Sequence, residues 1–273
     1  MRNDEFLDLQ KLHKKALPVY KKASHIALEN FGRGYLDYKV KEEYGVKSIV
    51  TEADKLINDH LTEKLRKLIP GSSVFSEEGT KELSEDYNWI IDPIDGTGNY
   101  QRGVDMWGIA ISLKHKNETI YAAILYPTSM NKIYYGFKGK GVFDEKGKKL
   151  DIVNSLSFKI KLSVDTPDRE LRKLIWELDF GTKSSVMSTG SYVFNGYNML
   201  RGGYDFMLAY KLELYDVDAI SFLAKELGHK VVYFNSHDFE SLYKVLICKP
   251  SVYDKVFDKI NECIKNYECA KSC

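Results

Sequence analysis

Apolar residues recur every three or four positions near the start of the chain, at Leu9, Leu12, Ala16, Val19, Ala23, Ile26 and Ala27. That spacing predicts an amphipathic helix over about 4–31, bent at Pro18 and stopped by Gly32 and Gly34. A second set, Ala53, Leu56, Ile57, Leu61, Leu65 and Leu68, predicts another helix. It opens on the capping-box pattern Thr51-Glu52-Ala53-Asp54 and ends at Pro70-Gly71, so Asp54 stands in a first helical turn. Extended runs follow at 73–76, 88–92, 107–115, 119–126 and 132–137, with turns such as Asn117-Glu118 between them. The last three read as an antiparallel meander.

Beyond residue 155 strands and helices alternate: strand 160–164, helix 168–176, strand 185–188, helix 191–201 and strand 204–209. A helix over 217–227 stopped by Gly228, strands 230–234 and 244–248, and a final helix from 251 complete the series. The chain thus divides into an N-terminal α+β half, 1–155, and a C-terminal α/β half, 156–273. No repeat, low-complexity stretch or Pro/Gly/Ser linker separates them, so they are expected to pack as one body.

With 273 residues and 44% hydrophobic content the chain can bury a sizeable core. Forty Lys and Arg against 39 Asp and Glu leave a formal charge of +1, hence no global field that draws in nucleic acid or an anionic membrane. Any anion must be captured locally. Arg2, Asp4 and Glu5 replace the apolar start of a secretory leader, and no apolar run approaches the ~20 residues of a membrane span. A cytoplasmic protein is the expectation. Cys248, Cys263, Cys269 and Cys273 have neither CxxC spacing nor nearby histidines, so they read as buried or frayed thiols rather than zinc ligands.

The segment Trp89-Ile90-Ile91-Asp92-Pro93-Ile94-Asp95-Gly96-Thr97-Gly98-Asn99-Tyr100 runs from an apolar strand into a proline- and glycine-marked turn. Two carboxylates three residues apart, with a rigid proline between them and a main-chain carbonyl nearby, can share a hard cation through oxygen. Such donors favour Mg²⁺ or Mn²⁺ over zinc. Gly96-Thr97-Gly98 allows close backbone approach, and amides opening a short helix can hold phosphate. It is not a Walker A loop, since no Gly-Lys-Ser/Thr follows, nor an EF-hand, since Ile94 occupies a ligand position. Taken alone, Asp-x-x-Asp-Gly is more often a solvated turn. Further acids stand at Ser76-Glu77-Glu78-Gly79 after a strand and at Tyr215-Asp216-Val217-Asp218 before a helix, although Asp54 and Asp216 are each also ordinary dipole compensation.

These blocks together resemble the inositol monophosphatase superfamily, which includes fructose-1,6-bisphosphatases and bisphosphate nucleotidases. Val50-Thr51-Glu52-Ala53-Asp54, Phe75-Ser76-Glu77-Glu78 and the run from Asp92 to Tyr100 with Gly103 carry the resemblance, with Ser188-Thr189-Gly190-Ser191 and Tyr215-Asp216 in the same order. The resemblance implies an α+β, α/β layered sandwich (αβαβα) of the sugar-phosphatase type. It also implies a Mg²⁺-dependent phosphomonoesterase with two or three ions, Mn²⁺ being an alternative. Glu77, Asp92 and the Ile94 carbonyl would hold one ion; Asp92, Asp95 and Asp216 would hold a second. Asp54 and Thr97 would orient or deprotonate the attacking water with Glu77. Asp95, Gly96 and Thr97 would meet the phosphate, and Ser188, Thr189, Gly190, Ser191 and Lys211 the rest of the substrate. A homodimer and lithium sensitivity are further implications.

The chain departs from the family pattern at its substrate end. Family inositol phosphatases place a Glu seven residues before the late Asp to bind ring hydroxyls; here that position is Ala209, with Lys211 and Glu213 nearby. The substrate that the resemblance implies is inositol monophosphate and/or a sugar phosphate such as fructose 1,6-bisphosphate. The alternatives are a 3′,5′-bisphosphate nucleotidase and a non-catalytic phosphate-ligand binding protein.

Overall fold

A computed structural model describes residues 7–32, 38–43, 46–128, 132–155, 158–234 and 242–272. In chain order the elements are α1 (Leu9–Asn30), β1 (Tyr38–Glu43), β2 (Val46–Thr51), α2 (Glu52–Leu68), β3 (Ser73–Ser76), β4 (Tyr87–Asp95) and α3 (Thr97–Gln101). The meander follows as β5 (Gly108–His115), β6 (Glu118–Tyr126), β7 (Lys132–Phe137) and β8 (Gly141–Phe143). The second half holds β9 (Ile160–Asp165), α4 (Arg169–Glu177), β10 (Ser184–Met187), α5 (Tyr192–Leu200), β11 (Phe206–Leu212), α6 (Leu214–Leu227), β12 (Lys230–Tyr233), β13 (Tyr243–Cys248) and α7 (Tyr253–Ser272). Pro18 is accommodated inside α1, and Gly34 lies outside the described residues.

Successive side chains of a strand point to opposite faces, and here each face has its own helices. In the six-stranded sheet β3-β4-β5-β6-β7-β8, Trp89, Ile91, Ile109, Ile111, Leu113, Tyr121 and Leu125 pack with Leu12, Tyr20, Ile57, Leu61 and Leu65 of α1 and α2. Their neighbours Ile90, Ala110, Ala122 and Ile124 turn the other way, onto Val193 and Tyr197 of α5 and Ile220 and Leu223 of α6. The five-stranded sheet β10-β9-β11-β13-β12 closes that middle layer with Met207, Ala209, Val245 and Ile247. Its other face, through Phe206, Leu208, Leu246 and Cys248, meets Leu171 and Ile175 of α4 and Val256 and Ile260 of α7. The layers run helix, sheet, helix, sheet, helix, as expected of an αβαβα sandwich. Both sheets are covered on both faces, which explains the near-continuous apolar strands.

The structure adds a β1/β2 antiparallel hairpin and the short β8, which the apolar pattern does not predict. The strand expected over 204–209 runs instead over Phe206–Leu212, and the helix expected from 217 begins at Leu214. Its start is drawn forward because the Glu213 N–H donates to Asp216 Oδ2 at 2.8 Å, a cap that makes Asp216 the third helical residue. Among the described residues no helix is long and apolar enough to cross a membrane. Cys248, Cys263 and Cys269 are free thiols, Cys248 buried; Cys273 lies outside the described residues.

Close packing of α5 on the meander requires glycine at 108. A Cβ there would stand 2.4 Å from Val193 Cγ1 and 2.7 Å from the Leu125 carbonyl oxygen. Gly108→Ala is expected to destabilise the fold by about 1–3 kcal/mol, read as a lower urea midpoint at unchanged slope.

Candidate active site

β3 and β4 run parallel, with Ser76 opposite Ile91, and the Glu77 N–H continues the ladder to the Ile91 carbonyl at 3.2 Å. Glu77, just past the end of β3, and Asp92, inside β4, therefore stand side by side. Between Asp92 and Asp95 the register of β4 against β5 slips: Asp92 opposes Ala110 and Asp95 opposes Gly108, so three steps on β4 match two on β5. In a regular strand an odd spacing sends two side chains to opposite faces; the extra residue of this bulge reverses that. Pro93, which has no N–H to donate, sits within it. The bulge is what lets Asp92 and Asp95 converge.

Asp216 reaches the same point from the first turn of α6. One carboxylate oxygen from each of Asp92, Asp95 and Asp216 lies within 4.8 Å of the others. Asp92 is buried and its Oδ1 has no hydrogen-bond partner. A buried carboxylate with an orphaned oxygen, clustered with two further acids, is costly without a cation. Burial first, then the charges of Glu77, Asp95, Asp216 and Asp54, push the Asp92 carboxyl well above the usual carboxylate range. Asp216 is raised for the same reasons, with burial first and Glu77 next. An all-oxygen donor set suits a hard divalent cation, so the residues present fit Mg²⁺ or Mn²⁺.

Asp95 is differently supported. The Ser191 hydroxyl donates to its Oδ2, Val193 N–H donates to the same oxygen at 2.7 Å, and Tyr192 N–H donates to Oδ1 at 3.0 Å. Burial raises its carboxyl while those three donors pull it back. Sequence spacing alone did not link Ser191 to Asp95, because 96 residues lie between them.

Asp54, fully buried, is gripped by Thr51: the Thr51 N–H donates to its Oδ2 at 2.7 Å and the Thr51 hydroxyl at 2.5 Å. Burial raises Asp54 to about 7 against those two bonds, with Glu77 and Glu78 adding to the rise. Its other oxygen lies 3.4 Å from Thr97 Oγ1, which donates its single hydrogen at 2.9 Å to the Ile94 carbonyl. Thr51→Val is expected to cost about 1 kcal/mol through the lost cap, checked by urea unfolding, and to leave Asp54 still higher in pKa.

Gly96 takes φ +86, a left-handed conformation, and a Cβ there would stand 2.8 Å from Ser191 Cβ and 3.2 Å from the Gly190 carbonyl oxygen. The 188–191 turn thus docks on the Asp92 to Thr97 segment, and Asn99 Nδ2 ties it there by donating to the Thr189 carbonyl at 2.7 Å and to Met106 O at 2.7 Å. Ser188 and Gly190 are exposed, Thr189 and Ser191 buried. Lys211 is exposed at φ +60 where β11 shifts register, its ammonium 5.7 Å from the centre of the Tyr210 ring. Ala209 is buried in the middle layer.

A layered sandwich with converging buried acids is the build of a phosphoric monoester hydrolase, and several relatives of this chain are named phosphatases. The chain belongs to the inositol monophosphatase family, whose profile matches residues 8–265. A fructose-1,6-bisphosphatase/inositol-1-monophosphatase of Aquifex aeolicus is 30% identical over 230 residues, covering 79% of this chain and 84% of its own. The protein of the same name from Thermotoga maritima is 25% identical over 252 residues, with 92% and 96% covered. Among solved structures, Thermotoga maritima IMPase matches the fold with a TM-score of 0.79 at 24% identity, over 92% of this chain and 97% of that one.

Proposed function

We propose that the chain hydrolyses a small phosphorylated alcohol, inositol monophosphate or a sugar phosphate such as fructose 1,6-bisphosphate, and that it requires Mg²⁺. The observation that carries this reading is the convergence of Asp92, Asp95 and Asp216 with Asp92 Oδ1 left unpartnered. Asp92, Asp95 and Asp216 would hold one ion, and Glu77, Asp92 and the Ile94 carbonyl another. When bound, Mg²⁺ supplies charge neutralisation at the phosphoryl oxygens and lowers the pKa of water. The relatives named for both activities support the substrate range.

The chain's own groups then have distinct tasks. Amides of Gly96 and Thr97 would orient the phosphate, for which the glycine leaves the backbone bare. Thr97 Oγ1 stands between two acceptors, the Ile94 carbonyl at 2.9 Å and Asp54 Oδ1 at 3.4 Å, and with the carbonyl engaged as a ligand its hydrogen would turn to Asp54. The deprotonated form of Asp54, populated near pH 7, would take the Thr97 hydroxyl proton while Thr97 takes that of the water it orients. No side chain need become phosphorylated. Phosphate release should be measured over inositol 1-phosphate, fructose 1,6-bisphosphate and adenosine 3′,5′-bisphosphate, with Mg²⁺ and with EDTA. Turnover of either of the first two only with Mg²⁺ is the expected result; exclusive turnover of the third, or none, rejects the reading.

A further inference from the structure

One buried carboxylate beside the site has no part in those assignments. Asp165 ends β9, and the parallel register sets it opposite Ala209 of β11 on one side, while Ser163 opposes Met187 of β10 on the other. It therefore stands between Ala209 and the strand that leads into the 188–191 turn. Both oxygens of Asp165 accept from Asn195 Nδ2, each at 2.9 Å. Asn195 is fully buried in α5; its Oδ1 accepts from the Tyr204 hydroxyl at 3.2 Å and its N–H donates to the Ser191 carbonyl at 3.2 Å. That last bond closes the helical turn whose hydroxyl and two amides hold Asp95. The first turn of α5 is thus pinned from two sheets, by Asp95 from β4 and by Asp165 from β9.

We propose that Asp165 is a positioning residue for the metal centre: by holding Asn195 it fixes the first turn of α5, and that turn sets how Asp95 meets Asp92 and Asp216. This rests on the metal-centre reading above. An amide in place of the Asp165 carboxylate would turn one NH₂ against the NH₂ of Asn195, and loss of the Asn195 amide would strand a buried charge. Exchanging the two, Asp165→Asn with Asn195→Asp, sets an NH₂ against a carboxylate again once the amide at 165 turns its oxygen to the Ser163 hydroxyl, which lies 3.4 Å from Asp165 Oδ2, and the Tyr204 hydroxyl keeps an acceptor.

The test uses Mn²⁺ binding to metal-stripped protein, followed by the electron-paramagnetic signal of free Mn²⁺, with melting temperature and the kcat against KM split recorded alongside. Asn195→Ala and Asp165→Asn are each expected to weaken Mn²⁺ binding by roughly tenfold and to lower kcat more than they raise KM, the range seen when groups supporting a metal ligand are removed. The exchanged pair is expected to bind Mn²⁺ within about twofold of the wild type. Single variants that melt lower yet bind Mn²⁺ like the wild type, or an exchanged pair no better than Asp165→Asn, overturn the proposal. Unchanged binding in Asn195→Ala with loss in Asp165→Asn also overturns it, since that pattern reports charge alone. Should the single variants fail to fold, the exchanged pair decides, because in it an amide NH₂ again faces a carboxylate. A wild type that binds no Mn²⁺ rejects the metal centre itself, whereas normal wild-type binding with unshifted variants rejects only the role of Asp165.

Discussion

Asp92→Asn is expected to destroy activity and, without metal, to raise stability. Asp92 is the acid shared by both proposed ion sites, and it carries the orphaned oxygen. If charge neutralisation at the phosphoryl group supplies several kcal/mol, losing about 4 kcal/mol of it lowers kcat by about a thousandfold. The same substitution removes a buried charge that Glu77, Asp95, Asp216 and Asp54 all repel. In EDTA the variant should gain about 1–2 kcal/mol, a few degrees in melting temperature, as functional sites commonly trade stability for charge. Phosphate release and calorimetry in EDTA read the two effects. A variant that keeps its activity, or that melts lower than the wild type in EDTA, is incompatible with a repulsive acid cluster awaiting a cation.

Stability of the metal-free protein should fall as pH rises. Burial raises both Asp54 and Asp165 to about 7 from an ordinary value of 3.8. A carboxyl with a raised folded pKa binds protons more tightly in the folded state, so its stabilising contribution is complete below about pH 4 and lost through about pH 7. Each such group is worth on the order of 2–4 kcal/mol over that span at 1.36 kcal/mol per pH unit. Melting temperatures in EDTA are therefore expected to decline from pH 5 to pH 8. Saturating Mg²⁺ should oppose the decline, because a cation binds the deprotonated carboxylates and stabilises by mass action. Asp54→Asn should flatten the EDTA profile in part. A flat wild-type profile in EDTA contradicts the burial of these acids.

The layers were legible wherever a period existed. α1 and α2 follow from rows of Leu, Ile and Ala, and the meander follows from apolar runs broken by turns. The β1/β2 hairpin was not, because Lys39, Lys41, Glu42 and Glu43 leave no apolar alternation past Val40 in the sequence of 38–43, and Val40 is 59% exposed. Asp92, Asp95 and Gly96 could be singled out by residue type, yet nothing in a three-residue spacing reveals the bulge that turns both acids to one side. Ser191 stood out only as part of a polar turn before a helix. Its bond to Asp95, the Asn99 tether to Thr189 and the Asp165 to Asn195 pair join residues 30 to 96 positions apart, and the packing of two sheets around α5 creates them.

The claim on which the rest depends is that the buried acids form a cation seat. Anomalous diffraction from crystals loaded with Mn²⁺ places the ion directly. A peak bonded at about 2.1 Å to carboxylate oxygens of Asp92, Asp95 and Asp216 is the predicted result; well-ordered side chains at these three positions with no peak between them, in crystals whose Mn²⁺ lies elsewhere, would contradict it.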